Sequence, residues 1–221
     1  MNKGHIEIVK ESAWKLLNCE NDFFYMKQAV DDLYEIFKEI AKIDINGLNS
    51  GEIILPSGKA ISPSAAAHCL LEMKRTAVFL RGIKKAIDGK INEGRKNINI
   101  LYAGCGPYAT LVTPLLTLYR PGTIRVALLD INNASLNAVK KLITSLGLKD
   151  FISDYILADA SVYKVNKDYD IVISETMQAC LQNEPQVAIM KNLIPQMSEN
   201  AVFIPQQIYI DCYLRNPGKW N

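Results

Sequence analysis

The spacing of apolar residues changes near residue 97 and divides the chain into two regions. Before that point, apolar residues recur every three to four positions with charged residues between them, which predicts helices over residues 6–45 and 63–87. The break between these helices is residues 47–51, a GLNSG run. Ser62 can cap the second helix, Pro63 suits its first position, and we expect it to end before Gly89.

After residue 97, short β-prone apolar runs alternate with helical patterns. The runs predicted to be strands are residues 98–103, 123–130, 155–159, 170–173 and 201–204. The helical patterns cover residues 111–118, 136–146 and 185–197. Strands joined by helices form right-handed parallel units. The predicted fold class is therefore α/β, a Rossmann-like doubly wound, mostly parallel sheet with an amino-terminal helical extension.

Two regions follow from this division: a helical extension over residues 1–60 and a Rossmann-like domain over residues 61–221. Residues 206–214 (QQIYIDCYL) have a strand-like pattern after the fifth predicted strand, yet no core-forming segment follows them. We therefore expect the polypeptide to have been cut from something longer at its carboxyl end.

Composition narrows the class of protein without indicating a function. Of the 221 residues, 49% are hydrophobic and 22% are charged, as in ordinary soluble globular proteins. The net charge is +2 and no dense run of Lys and Arg occurs, so no nucleic-acid partner is evident. The five cysteines are scattered and lack metal-like spacing, which predicts a reduced compartment and no metal site. Without a signal peptide or an apolar span, we expect a cytoplasmic protein with no membrane partner; the oligomeric state stays open.

A glycine turn follows the first predicted strand. Gly104, Cys105 and Gly106 stand where a strand would hand over to a helix, the context in which such turns bind nucleotides. Asp130, followed by Ile131, ends the second strand, where a carboxylate can accept hydrogen bonds from ribose hydroxyls. The pattern therefore predicts an adenosine cofactor, although a sharp turn without any ligand is an alternative.

The glycine turn is compatible with two cofactors. Gly104, Gly106 and Ala109 satisfy the dinucleotide fingerprint GxGxxG/A. They also begin the GxGxG turn of enzymes that use S-adenosylmethionine, with Tyr108 at the place of the third glycine. The turn alone does not decide between them.

A second carboxylate ends the third predicted strand. Asp159, followed by Ala160, can accept a hydrogen bond from an adenine amino group. The alternative is that Asp159 only caps a helix or a turn. We include both residues among the predicted cofactor contacts.

An acidic loop follows the fourth predicted strand. Residues 174–184 read SETMQACLQNE and contain Glu175 and Glu184. Open α/β sheets bind ligands at the carboxyl ends of their strands, so two carboxylates in one such loop would suit a cationic substrate group. Alternatively, Glu175 bonds backbone groups at the strand end and Glu184 lies in the first turn of the next helix.

Together these segments resemble a known family. Residues 69–209 look like the cofactor-binding domain of S-adenosylmethionine-dependent methyltransferases, and within them of protein arginine methyltransferases. The resemblance is carried by residues 70–76 (LLEMKRT), by the glycine turn with Asp130, and by residues 174–184. It implies S-adenosylmethionine as cofactor, Arg75 as the partner of its methionyl carboxylate, and Glu175 with Glu184 as the grip on a substrate guanidinium.

The resemblance also implies an enzyme that transfers a methyl group to a nitrogen or another polar acceptor. In the family a β-barrel follows the fifth strand and contributes a histidine to the site; residues 203–214 resemble the crossover into it, but the barrel itself is absent here. The acceptor, a small molecule or a peptide, therefore stays open.

Two other functions remain open. An NAD(P)-dependent oxidoreductase would satisfy the fingerprint, but it needs a catalytic proton donor and neither histidine is well placed for that role. A non-catalytic binding protein of the same fold is the second alternative. It would be favoured if Tyr102 and Tyr108 filled the cofactor cleft.

Overall fold

A five-stranded parallel sheet forms the centre of the molecule. The structure, a computed structural model, describes residues 3–20, 22–43, 51–177, 185–209 and 211. The sheet has the strand order β5-β4-β3-β6-β7. Its strands are β3 (Ile98–Ala103), β4 (Ile124–Asp130), β5 (Ile152–Leu157), β6 (Ile171–Ser174) and β7 (Val202–Ile204). All five predicted strands are present, and the predicted Rossmann-like fold class is confirmed.

The strand order reverses beside β3. The chain passes from β3 to β4 and β5 on one side and then crosses to β6 and β7 on the other. In register, Ile100 pairs with Val126 on β4 and with Ile171 on β6. Helices cover both faces of the sheet, so nearly every residue of β3 is buried. Ligands bind at such a reversal, outside the carboxyl ends of the strands.

The two faces of the sheet are covered unequally. The apolar core on one side of the sheet includes residues of α1 (Lys3–Asn18), α2 (Phe23–Ala41), α4 (Met73–Asn92), α5 (Thr113–Leu116) and α6 (Asn133–Ser145). The other face is covered by α7 (Gln186–Leu193) and the segment after β5. Because α1 and α2 share one apolar core with the sheet, these amino-terminal helices pack against the rest of the chain. The division into a helical extension and a Rossmann-like domain at residue 60 stays a prediction.

The helix at residues 6–45 was expected as one stretch and is two. Asp22 separates α1 from α2, and its carboxylate accepts from the backbone N–H groups of Phe24 and Tyr25. Such an N-cap satisfies amide groups that a helix start leaves without partners. The sequence pattern does not reveal this break, because apolar residues recur at the same helical spacing in α1 and in α2.

The second predicted helix is also divided. It consists of α3 (Pro63–His68), a 3₁₀ turn (Cys69–Leu71) and α4, with Glu72 outside helical geometry. Its expected end before Gly89 was wrong, since α4 continues to Asn92. A helical glycine costs about 1 kcal/mol, which contacts of the last turn of α4 offset. Lys90 also anchors this last turn, donating to the carbonyl of Asn200 at 2.7 Å.

Three further differences bear on the site. A short antiparallel hairpin, β1 (Ile53–Leu55) and β2 (Gly58–Ala60), was not expected. The strand-like residues 206–209 and 211 are not in a strand, and the rest of that predicted strand lies outside the described residues. In the described part of the chain, no helix is long and apolar enough to cross a membrane.

Candidate functional site

A cavity of about 350 Å³ lies at the carboxyl ends of the strands, beside the reversal of strand order. Its wall is formed by the glycine turn after β3, the ends of β4 and β6, the start of α4 and the hairpin. Of the predicted cofactor residues, the cavity brings together Arg75, Gly104, Cys105, Gly106, Asp130, Ile131 and Asp159.

The glycine turn is held against β4 by its backbone. The N–H groups of Gly104 and Cys105 both donate to the carbonyl of Leu129, at 2.8 and 3.1 Å. Gly104 has φ +72°, and a Cβ at this position would lie 2.6 Å from Cγ2 of Thr176. Only glycine combines this left-handed conformation with so close a neighbour. Burial raises the pKa of the Cys105 thiol, which agrees with a packing role for this cysteine.

Asp130 is the polar centre of the turn. Its Oδ2 accepts from the N–H of Gly106 and its Oδ1 from the N–H of Asn132, both at 2.8 Å. Burial raises the pKa of the Asp130 carboxyl, and these backbone hydrogen bonds partly oppose that rise. A carboxylate has about four acceptor positions, so these backbone hydrogen bonds leave capacity for a ligand in the cavity that Asp130 lines.

The turn does not open a helix, contrary to the prediction. The next helix, α5, begins only at Thr113 and has 4 residues; the chain between Cys105 and that helix forms turns, with Ala109 at φ +42°. The hydroxyl of Thr113 closes this region by donating to the carbonyl of Tyr108 at 2.7 Å. No helix amino terminus therefore points at the cavity from this turn.

Tyr108, at the place of a third glycine, faces away from the cavity. Its ring is fully buried against Phe37 and Tyr34 of α2, with ring centroids 5.5 and 6.4 Å away. Its hydroxyl has no hydrogen-bond partner among the described residues. Tyr102 does line the cavity, but the space remains open. The condition for a filled cleft is therefore not met.

The predicted cofactor arginine is paired with a predicted substrate glutamate. The guanidinium of Arg75 forms an ion pair with the carboxylate of Glu175, and its Nη1 also donates to the carbonyl of Cys69 at 3.1 Å. The Glu175 side chain is only 3% exposed. Both groups line the cavity, so α4 and the end of β6 are joined directly across it.

The second predicted substrate residue, Glu184, lies outside the described residues, which resume at Pro185. On the near side of that gap, Thr176 is fixed by Gln186 of α7. The buried side chain of Gln186 accepts from the N–H and hydroxyl of Thr176 at 2.8 and 2.9 Å and donates to the carbonyl of Ser174 at 3.0 Å. Gln186 was not singled out from the sequence, since a glutamine near a helix start carries no distinctive signal.

Of the neighbouring residues Asp159 and Ala160, only Asp159 lines the cavity. Asp159 lines the cavity, and its Oδ1 also accepts from the N–H and hydroxyl of Ser161, at 2.8 and 2.7 Å. Ala160 is buried in the core under α7, and its carbonyl accepts from Asn192 at 2.9 Å. The structure therefore does not bring Ala160 to the cavity wall.

The hairpin and α4 add charged residues that sequence reasoning missed. Lys59 of the hairpin and Glu72 line the cavity, so the described part of its wall carries four carboxylates and two cationic side chains. The four carboxylates belong to Glu72, Asp130, Asp159 and Glu175, and the cations to Lys59 and Arg75. The sequence Pro56-Ser57-Gly58 is the turn signal that could have revealed the hairpin.

Of the residues that the structure describes, neither a histidine nor the tyrosine of a Tyr-x-x-x-Lys spacing, the proton donors typical of dehydrogenases, lines the cavity. Tyr-x-x-x-Lys spacings occur at Tyr34 and at Tyr163, but neither tyrosine belongs to the cavity wall. His68 is engaged elsewhere: its Nδ1 donates to the carbonyl of Ser64 at 2.8 Å, and its Nε2 lies 3.2 Å from the Tyr34 hydroxyl. Among the described residues, no group of His, Cys, Asp and Glu could hold a metal ion.

Comparison with known proteins gives matches among solved structures alone. No family model matches the chain, and none of the curated proteins matches it. One match is the glycopeptide N-methyltransferase MtfA complexed with sinefungin, with 15% identity, TM-score 0.40, and coverage of 54% of this chain and 47% of that one. The Arabidopsis thaliana protein arginine methyltransferase 10 matches with 12% identity, TM-score 0.42, and coverage of 60% and 38%.

A third match is the magnesium protoporphyrin IX methyltransferase of Synechocystis PCC 6803 with bound S-adenosylmethionine, at 15% identity and TM-score 0.40. It covers 57% of this chain and 58% of that one. The chain spans about half the length of the first structures it matches. These structures belong to the class that the sequence motifs resemble. At such identities and TM-scores these matches carry no argument about function. The proposal below is therefore argued from this chain's own residues.

Proposed function

We propose that this chain binds S-adenosylmethionine in the cavity and transfers its methyl group to a polar acceptor. The observation that carries the proposal is the excess of carboxylates around the glycine turn, at the carboxyl edge of a parallel sheet. S-adenosylmethionine carries a sulfonium and an ammonium group, and opposite charges attract strongly where water is partly excluded. Asp130 would accept from the ribose hydroxyls, Asp159 from the adenine amino group, and Arg75 would bind the methionyl carboxylate.

The same wall argues against a dinucleotide. A pyrophosphate is bound by the free N–H groups of a helix amino terminus, and the turn here leads into α5 only after a run of irregular turns. Four carboxylates in the wall would also repel the two phosphate charges. The volume of about 350 Å³ is near the lower end of the range of small-molecule sites, which favours the smaller cofactor.

A thermal-shift experiment tests this choice. A ligand that binds only the folded state stabilises it, and above Kd the Tm rises with the logarithm of the ligand concentration. We expect S-adenosylhomocysteine to raise Tm in this concentration-dependent way, and NAD and NADP to have no effect. A shift with NAD but none with S-adenosylhomocysteine would refute the proposal and favour the oxidoreductase.

For the acceptor, we propose that Glu175 and Glu184 hold a guanidinium or a similar cationic nitrogen. Each carboxylate can form charge-assisted, bidentate hydrogen bonds to such a group. They would direct one nitrogen at the methyl donor, which is the main requirement of an in-line displacement. One of them would also accept the proton released as the product forms. Glu175 can act in this way only after its ion pair with Arg75 has opened.

The acceptor proposal is tested by transfer of a labelled methyl group. Candidate acceptors are small guanidino compounds, arginine-containing peptides and primary amines, each incubated with labelled S-adenosylmethionine. We expect transfer to guanidino groups, and its loss in Glu175→Gln and Glu184→Gln while S-adenosylhomocysteine still binds. Methyl transfer by both variants at the wild-type rate would contradict the role of the two glutamates. The proposal that the cavity binds the cofactor would still stand.

A further inference from the structure

The hairpin β1–β2 forms part of the cavity wall but not of the central sheet. Leu55, Lys59 and Ala60 of the hairpin, with Ile61 after it, line the cavity together with the glycine turn. The two strands pair only with each other, over three residues each. An isolated hairpin of this size is marginally stable in water. Its position must therefore be maintained by contacts with the rest of the chain.

One of those contacts comes from Asn132, directly after the cavity residues Asp130 and Ile131. Its Nδ2 donates to the carbonyl of Gly51, at the base of the hairpin, at 2.9 Å. The approach is close: a Cβ on Gly51 would lie 3.4 Å from this Nδ2 and 3.3 Å from Cδ of Pro63. The base of the hairpin is thus held between Asn132 and the start of α3.

The same asparagine is joined to the cavity itself. Its backbone N–H donates to Oδ1 of Asp130 at 2.8 Å, and its own Oδ1 caps α6 by accepting from Ala134 at 2.9 Å. A continuous chain of hydrogen bonds therefore runs from the Asp130 carboxylate through Asn132 to Gly51. Any ligand that bonds Asp130 acts at one end of this chain, and the hairpin lies at the other.

We propose that the hairpin is a ligand-responsive cover of the cavity and that Asn132 is the positioning residue that couples it to Asp130. The identity of the ligand as S-adenosylmethionine rests on the proposed function, whereas the tether itself is a property of the free chain. Leu55 would contribute apolar contact to the bound ligand. Asn132 would act through Asp130 and Gly51 without touching the ligand.

Asn132 can be changed without removing its capping role. Asp and Ser are both good N-caps, so Asn132→Asp and Asn132→Ser keep an acceptor for Ala134 but lose the amide donor to Gly51. A second pair of variants tests the cover directly. Leu55→Ser alters a cavity residue, and the neighbouring Ile54→Ser is its matched control, since Ile54 is 77% exposed and is not part of the cavity wall.

Hydrogen exchange of residues 52–61, measured with and without S-adenosylhomocysteine, gives the decisive comparison. In the free chain we expect faster exchange of the hairpin in both Asn132 variants and unchanged exchange in α6. In the wild type, S-adenosylhomocysteine should slow hairpin exchange. In both Asn132 variants that protection should be smaller, and the affinity for S-adenosylhomocysteine should fall several-fold. Leu55→Ser should lower the affinity by a similar factor, whereas Ile54→Ser should leave it unchanged.

Each contrary result has a separate meaning. Hairpin exchange that is the same in the wild type and both Asn132 variants overturns the tether. Weaker binding in Asn132→Asp but not in Asn132→Ser would be an effect of added charge and overturns the positioning role. Binding of S-adenosylhomocysteine without slower hairpin exchange overturns the cover while the proposed function stands. Absence of binding refutes the proposed function, and the free-chain comparison still decides the tether.

Discussion

The guanidinium of Arg75 is ion-paired with the carboxylate of Glu175 across the cavity. The resemblance assigns Arg75 to the cofactor and Glu175 to the acceptor, so in the free chain each neutralises the other. A cofactor carboxylate that binds Arg75 competes with Glu175 for the same cation. Occupation of the cofactor site would thus release Glu175 for its own substrate.

Replacing Arg75 and replacing Glu175 should have different effects on stability and on ligand binding. Arg75→Ala leaves a buried carboxylate uncompensated and should lower the free energy of unfolding by about 3 kcal/mol, with loss of S-adenosylhomocysteine binding. Glu175→Gln keeps the side-chain shape and frees Arg75, so binding should be retained or strengthened. Urea unfolding and calorimetry measure both quantities. Loss of binding in Glu175→Gln equal to that in Arg75→Ala would contradict the competition.

Gly104 should tolerate no side chain while Thr176 is present. In Gly104→Ala the left-handed φ costs roughly 1–2 kcal/mol, and the new Cβ meets Cγ2 of Thr176 in addition. Thr176→Ser removes that methyl group and keeps the hydroxyl that bonds Gln186. We expect the double variant to be more stable than Gly104→Ala alone. Strictly additive losses in urea unfolding would show that the close approach is unimportant.

Asp130 should give opposite pH dependences for stability and binding. Its pKa is raised in the folded state above the ordinary value of 3.8, so the unfolded chain releases this proton first as pH rises. The contribution of Asp130 to stability is thus present at low pH and is lost as pH rises through the folded pKa. Acceptance from ribose hydroxyls needs the carboxylate, so affinity for S-adenosylhomocysteine should rise over the same interval.

Asp130→Asn is the reference for both measurements, because it retains every other titrating group. Urea unfolding and calorimetry are compared between the two proteins from about pH 4 to about pH 7, a range that begins near the ordinary pKa of a carboxyl group and ends roughly three units above it. As pH rises, the free energy of unfolding of the wild type should fall relative to that of Asp130→Asn. Its affinity for S-adenosylhomocysteine should rise relative to that of the variant. Parallel pH profiles of affinity in the two proteins would exclude Asp130 from the ligand contacts.

Tyr108 should behave as a core residue. Its buried hydroxyl lacks a partner among the described residues, so Tyr108→Phe should be neutral or stabilising by about 1 kcal/mol. Tyr108→Gly restores the third glycine of the turn pattern but removes a fully buried ring, which should cost at least about 3 kcal/mol. Neither result should depend on ligand. Weaker S-adenosylhomocysteine binding in Tyr108→Phe would place the hydroxyl at the site.

The sequence predicts the sheet well because buried parallel strands are continuous apolar runs, which residues 98–103 and 124–130 display directly. The turn at Gly104 and the position of Asp130 follow from those strand ends. The sequence predicts a longer helix after the turn, because Leu111, Leu115 and Leu116 have helical spacing, although only Leu115 and Leu116 lie in the short helix α5 and Leu111 lies in a turn. Local spacing does not reveal which tertiary contacts will override it.

Other parts of the site depend on distant contacts. The glycine pattern alone cannot show that the Tyr108 ring is buried in the core, since that requires the rings of Phe37 and Tyr34 on a helix much earlier in the chain. The hairpin is similarly hidden: its strands are only three residues long, and its position is held by Asn132. Short elements held in place by a few contacts with distant residues leave no periodic signal.

The central claim, that the cavity binds S-adenosylmethionine, is tested most directly by calorimetric titration of the free chain with S-adenosylhomocysteine and separately with NAD. The account predicts saturable binding of S-adenosylhomocysteine in the micromolar range, with one site per chain, loss of that binding in Arg75→Ala and in Asp130→Ala, and no heat from NAD. Binding of NAD without binding of S-adenosylhomocysteine would contradict it.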